Sequence, residues 1–222
     1  MKILIVLAHP EPQSFCSALF TAAVDTLSTG GHEVQTSDLY SMGFDPISDR
    51  RNFITVKNPH YLKPQIEEMY ASEAGGFVPK LETEMKKVEW CDLMIWQFPL
   101  WWFSVPAILK GWFDRVFAMV RFYGYGRIYE TGMLEGKKAM LSLTTGGPAD
   151  SYQREGFNGD INGILRPIQR GMLEFVGFEV LAPQIVYAPA HKSQEERSAE
   201  LFAYCARLEQ IEAEQPIVVG YY

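Results

Sequence analysis

The sequence predicts an α/β fold built on a parallel sheet, and three observations predict it. Residues 2–8 (KILIVLA) and 93–96 (LMIW) are short, dense apolar runs, as expected of strands buried on both faces. Each run leads through a loop into a segment whose apolar residues recur at helical spacing. The alternation repeats along the chain, which implies right-handed crossovers between parallel strands.

After the first strand, His9 to Gln13 forms a loop with two prolines. Ser14 is placed to cap a helix through Phe15, Leu19, Ala22, Ala23 and Leu27 that stops at Gly30 and Gly31. Residues 32–39 alternate more and read as a strand nearer an edge. Residues 40–80 are the least regular, with Pro46, Pro59, Pro64, Gly75, Gly76 and Pro79 around a short helix over 65–72. An insertion of that length is usually functional or interfacial. Residues 81–88 form a helix that leads into the strand at 93. Pro99 to Phe103 is too aromatic for an ordinary solvated loop. Ser104 fits an N-cap, with Pro106 in the first helical turn. Ile108, Leu109, Trp112, Phe113, Val116 and Phe117 then make one buried stripe, and core packing is the reading for Trp112 and Phe113. A Tyr/Gly-rich turn at Arg121 to Gly126 precedes a strand over 137–143 and the stretch Thr144-Thr145-Gly146-Gly147. Residues 160–176 read as a long helix kinked at Pro167, 179–187 as the last strand, and 194–211 as the closing helix. Five such strands give the flavodoxin-like order 2-1-3-4-5. The loops after strands one, three and four then surround one crevice.

The chain has 222 residues, 47% of them hydrophobic. Against a length prior of roughly 150 residues per domain, that favours a single domain over 1–222 carrying the 40–80 insertion. Net charge is −7 and no Lys/Arg cluster occurs, which disfavours a nucleic-acid partner. Cys16, Cys91 and Cys205 are scattered, without metal-site spacing or a disulfide framework. The first residues read as a strand rather than a signal peptide. No apolar run reaches the about 20 residues that cross a bilayer. The expectation is a cytoplasmic protein with no metal and no stable membrane insertion.

The three loops suggest the chemistry. His9 to Phe15 ends at a helix N-terminus, where free amides and the helix dipole favour an anion such as a phosphate. Read alone, Ser14 is equally a plain cap and His9 a strand-end residue. Neither a GxGxxG fingerprint nor a Walker sequence is present. Trp102 and Phe103, at a strand's carboxyl end, suit a flat ligand. Gly146 and Gly147 let backbone approach it, and their amides can stabilise charge on the N1–C2=O edge of a flavin. A planar redox ring held there leaves one face for a nicotinamide and then a quinone, in turn.

QFPLWWFSVPAILKGWFDRVF, LTTGG, GDINGILRPIQ and GFEVLAPQ are close to the wording of the NAD(P)H:quinone oxidoreductase (DT-diaphorase) family, and the resemblance runs from Lys2 to about Glu212. It implies tightly bound FAD rather than FMN, and a homodimer with its active site at the subunit interface. It also implies two-electron, ping-pong reduction of quinones by NADH or NADPH. Position by position, His9, Ser14, Phe15 and Cys16 match the pyrophosphate and adenosine contacts, with Cys16 where mammalian enzymes have Asn. Pro99, Leu100, Trp101, Trp102 and Phe103 match the isoalloxazine loop. Thr144, Thr145, Gly146, Gly147 and Tyr152 match contacts on the flavin's polar edge, and Tyr152, Asn158, Gly146 and Gly147 are the implied catalytic set. Arg197 matches a basic residue at the adenine end, although alone it reads as part of a solvated helix start. Trp102, Phe103, Tyr123, Tyr125, Asn158 and Phe175 are the implied substrate contacts. By themselves Tyr123 and Tyr125 are surface turn residues, and the resemblance moves them to the pocket.

Two departures matter. Asn158 stands where mammalian members have a His; it donates a hydrogen bond but carries no proton, which puts a Tyr–His relay in doubt. The resemblance also stops short of the longer mammalian form's C-terminal extension, so quinone preference does not carry over. A metal site of the shorter relative is not expected here, because its His and Cys positions are occupied by residues such as Glu174 and Val176. The competing readings are an azo- or nitroreductase of the same architecture, a flavoprotein subunit regulating a potassium-efflux channel, and a flavodoxin-like electron carrier. The roofed aromatic pocket argues against the carrier.

Overall fold

The computed structural model describes residues 1–220. Its centre is a parallel sheet. Strand β1 (Lys2–Leu7) lies between β2 (Glu33–Asp38) and β3 (Leu93–Pro99), and β4 (Lys138–Thr145) lies beyond β3. Successive residues of a strand face opposite sides, and both sides are covered. Leu4 and Val6 of β1, with Met94, Trp96 and Phe98 of β3, face one core cluster; Ile3, Ile5, Leu93 and Ile95 face the other. This is why β1 and β3 read as continuous apolar runs.

Helices α1 (Phe15–Thr29) and α6 (Gln194–Leu208) cover the second face through Leu19, Ala23, Leu27, Tyr204 and Leu208. Helices α3 (Pro79–Trp90), α4 (Ala107–Val116) and α5 (Ile161–Ile168) pack on the first. Trp112 of α4 meets Trp96 edge-on, with ring centroids 6.2 Å apart, and its Nε1–H donates to Glu84 Oε2 at 2.9 Å. The core role expected of Trp112 and Phe113 holds, with Phe113 part-buried against the same cluster.

The expected 179–187 strand is two segments, β5 (Glu179–Val180) and β6 (Gln184–Tyr187), both paired with β4. The sheet therefore has six strands rather than five, although the expected order is kept. Pro183, just before β6, has no N–H to give to the ladder. Ser104 is not a cap: α4 begins at Ala107 with Pro106 as its N-cap, and Ser104 instead pairs with Trp101. In the expected 160–176 helix, α5 gives way after Ile168 to a π-turn over Gln169–Leu173 and a 3-10 turn over Glu174–Val176. The change follows Pro167, whose ring removes one helical donor.

The 40–80 insertion is more ordered than its composition suggests. It contains α2 (Pro64–Ala74) and is fastened to α4. Arg115 donates to Asn52 Oδ1 at 2.7 Å and to the Asp45 carbonyl. Pro46 packs so tightly on Gly111 that a side chain there would collide with its backbone.

Candidate active site

Four strand ends converge at the carboxyl edge of the sheet, tied by backbone hydrogen bonds. Ala8 N donates to Gln97 O at 2.9 Å, Leu100 N to Thr144 O at 2.8 Å, and Ala188 N to Thr145 O at 3.0 Å. The loops after β1, β3, β4 and β6 are therefore held side by side.

In the first loop Ser14 is the N-cap of α1, its Oγ accepting from Ser17 N at 3.1 Å. The next amides, on Phe15 and Cys16, lie before any intrahelical acceptor can reach them. His9 Nδ1 lies 3.0 Å from Glu11 N and 3.2 Å from the Glu11 carbonyl, which fix the ring on the loop by its Nδ1 edge. Cys16 is buried under the Gln97 amide, whose Nε2 lies 3.4 Å from its Sγ, and burial pushes its thiol up to about 12. It is a neutral wall, not a nucleophile. His9, Ser14, Phe15, Cys16, Thr144 and Arg197 line a cleft of about 530 Å³ between α1 and α6. Arg197 Nη1 donates to Lys192 O at 3.0 Å and Nη2 to Gln194 Oε1 at 3.2 Å, which hold the guanidinium on that wall.

The second loop is a tight turn. Trp101 and Ser104 are bridged, and Trp102 (φ 50°) and Phe103 (φ 58°) both have left-handed backbone between them. Trp102 is 95% exposed and Phe103 51%, whereas Pro99 and Leu100 are buried and contribute backbone. In the third loop Thr145 Oγ1 donates to Gly147 O at 2.8 Å. A Cβ on Gly147 would stand 3.2 Å from Asn158 Nδ2 and 3.3 Å from a Tyr152 ring carbon, so these residues form one group. Gly146 has open space beside it.

A family model described as flavodoxin-like fold matches residues 1–210. The chain is 46% identical over 217 residues to ribosyldihydronicotinamide dehydrogenase (quinone) of Homo sapiens, spanning 97% of this chain and 94% of that one. It is also 46% identical to NAD(P)H dehydrogenase (quinone) 1 of Cavia porcellus, spanning 97% of this chain and 79% of that one. The chain belongs to the NAD(P)H:quinone oxidoreductase family. A solved structure from Klebsiella pneumoniae, assigned as a quinone reductase, superposes with a TM-score of 0.93 at 39% identity, covering 98% of this chain and 87% of that one.

Within this oxidoreductase, the residues expected at the site fall into three groups. His9, Ser14, Phe15, Cys16 and Arg197 line the cleft. Trp101 to Phe103 and Thr144 to Gly147 stand at its sheet end, with Tyr152 and Asn158 against Gly147. Tyr123 and Phe175 are elsewhere in the chain. Their rings are 5.9 Å apart, and they line a separate cavity of about 280 Å³ with Glu68, Phe113 and Phe117. Within one chain, Tyr123 and Phe175 therefore line a different surface from the Trp102 turn. Tyr125, two residues on, is 69% exposed.

One neighbour escaped the sequence reading. Tyr187 closes β6 with its ring centroid 5.8 Å from that of Tyr152. Burial, then Tyr152 and Asp160, push its phenol above the ordinary value. Its place at the end of a parallel strand beside the Thr-Gly loop was the available signal. No helix among the described residues is long and apolar enough to cross a membrane.

Proposed function

We propose that this chain is a flavin-dependent NAD(P)H:quinone oxidoreductase that carries FAD and works as a homodimer. The observation that carries the reading is the convergence of the cleft, the Trp102–Phe103 turn and the Gly147–Tyr152–Asn158 group at one sheet edge. It stands in a chain 46% identical to enzymes named as quinone dehydrogenases.

The residues present fit the group. Phe15 and Cys16 amides, with the His9 ring beside them, would take the diphosphate at the positive end of α1. Arg197 and Gln194 line the far wall on α6, where an adenosine reaches and a mononucleotide's single phosphate has no need to. Pro99 to Phe103 and Thr144 to Gly147 would hold the isoalloxazine. When bound, the flavin supplies the hydride chemistry, taken from NADH or NADPH and given to a quinone. The chain's part is to orient and to stabilise charge. Tyr152 and the Gly146 and Gly147 amides offer donors fixed in advance, which need no rearrangement when charge develops. Asn158 adds a donor but holds no exchangeable acidic proton, so Tyr152 is the principal polar group.

The split of the substrate contacts supports the dimer. Trp102, Phe103 and Tyr125 leave large apolar surfaces exposed on one chain, and a second copy would set its own Tyr123, Tyr125 and Phe175 opposite the Trp102 turn. Cys16, Cys91 and Cys205 are free thiols, in keeping with a reducing cytoplasm.

The test is the visible spectrum of the purified protein, chromatography of the released flavin, and turnover with 1,4-benzoquinone. NADH, NADPH and ribosyldihydronicotinamide are compared as donors. Bound FAD and steady turnover are expected. A colourless protein that takes up no flavin and reduces no quinone overturns the reading.

A further inference from the structure

Glu67 and Glu68 lie in the middle of α2 and both are buried; Glu67 accepts from Lys57 N and Asn58 N, whereas Glu68 faces the 119–126 segment. One carboxylate oxygen accepts from Met119 N at 2.8 Å, and the carboxyl also faces the Tyr123 hydroxyl. Gln65, one turn earlier on α2, faces the same hydroxyl. On the far wall of the 280 Å³ cavity stands Asp114 of α4.

The segment that Glu68 grips is under strain. Val120 has φ 74° and Tyr125 φ 53°. A β-branched residue in the left-handed region is an outlier that persists only where its surroundings over-determine it. Val120 N donates to Tyr123 O at 2.7 Å, and Phe122 is wholly buried. The Glu68 carboxylate pins the start of the segment at Met119 and faces its working end at Tyr123. Nothing else on α2 engages both.

We propose that Glu68 is a positioning residue for the quinone pocket, holding the 119–126 loop so that Tyr123 stands against Phe175. This rests on the reading above that Tyr123 and Phe175 wall that pocket from the second copy. Ionised, Glu68 accepts from the Met119 amide and turns acceptor oxygens toward the Tyr123 hydroxyl. Protonated, it turns one oxygen into a donor, and Tyr123 must reorient. Burial, opposed by the bonds from Met119 and Tyr123, raises its pKa above the usual carboxylate value. The rearrangement is therefore brought closer to neutral pH than it is for an exposed glutamate.

The test uses the flavin-loaded protein with 3-fluorotyrosine at position 123, and the Glu68→Gln and Glu68→Ala variants. In the parent, the fluorine resonance is expected to move with pH in one step above the ordinary glutamate range. In Glu68→Gln, which keeps the size and one acceptor, it is expected not to move. The KM for 1,4-benzoquinone is expected to rise roughly fivefold in Glu68→Gln, the scale of one lost hydrogen bond. It should rise further in Glu68→Ala, with flavin content unchanged in both. A resonance indifferent to pH and to Glu68→Gln overturns the proposal, as does an unchanged KM in both variants. If the resonance titrates as expected but the parent reduces no quinone, the coupling stands and the functional reading fails. If Glu68→Ala does not fold, the parent resonance and the near-isosteric Gln variant still decide.

Discussion

Trp101 and Ser104 exchange two backbone hydrogen bonds, Trp101 N to Ser104 O at 3.1 Å and Ser104 N to Trp101 O at 3.0 Å. They close a two-residue turn on Trp102 and Phe103, both with positive φ. Such a turn favours Asn-Gly, because left-handed backbone costs other residues roughly 1–2 kcal/mol each. Two large aromatics here keep strain in the fold where a planar ligand would be held.

Replacing Trp102 and Phe103 together by Asn and Gly is therefore expected to stabilise the apoprotein while damaging the enzyme. A gain of about 1 kcal/mol corresponds to roughly 2–4 °C in Tm at this chain length. Thermal unfolding of the flavin-free protein, beside kcat/KM for NADH and benzoquinone, checks both halves. A variant that is less stable, or fully active, contradicts the role given to this turn.

Tyr152→Phe is expected to slow flavin reduction by NADH by about 10²-fold, the lower range for losing one preorganised donor. Flavin retention should change little, because the cleft between α1 and α6 lies apart from this ring. Stopped-flow reduction and an equilibrium flavin titration separate the two effects. Reduction at parental speed would remove Tyr152 from its assigned place.

Arg121 grips α3 with two forks. It reaches Glu82 at 2.6 and 3.0 Å and Glu89 at 2.6 and 2.9 Å. The Arg121 hydrogen bond holds the Glu82 carboxyl below its usual range. A carboxylate with a lowered folded-state pKa contributes stability that is full above its unfolded value, about 4.3, and fades as pH falls through the folded one. The Tm difference between the parent and Arg121→Met should therefore be constant near neutrality and shrink under acid. A difference that does not change with pH rules out this pair as the source.

The sheet was legible because β1 and β3 are buried on both faces and so could not hide their apolar runs. The α1 cap was legible because Ser14 has a local role, and local roles leave local signals. Ser104 misled because its partner, Trp101, belongs to a turn that uses none of the usual turn residues. The break in the last strand came from Pro183, a single residue inside an otherwise apolar stretch. Glu68 reads as one half of an ordinary acidic pair, since its bond from Met119 N crosses the fold and leaves no local sequence signal. The separation of Tyr123 and Phe175 from Trp102 is likewise tertiary, because residues matched to one pocket by resemblance can sit on different chains of an assembly.

The central claim is that one sheet edge presents a planar redox cofactor to two substrates in succession. Anaerobic addition of NADH to the purified protein, followed by benzoquinone, with the visible flavin absorption recorded throughout, tests it most directly. The absorption is expected to bleach in proportion to NADH added and to return in full with one equivalent of quinone per flavin. An absorption that stays unchanged on NADH, or that bleaches and is not restored by quinone, contradicts the account.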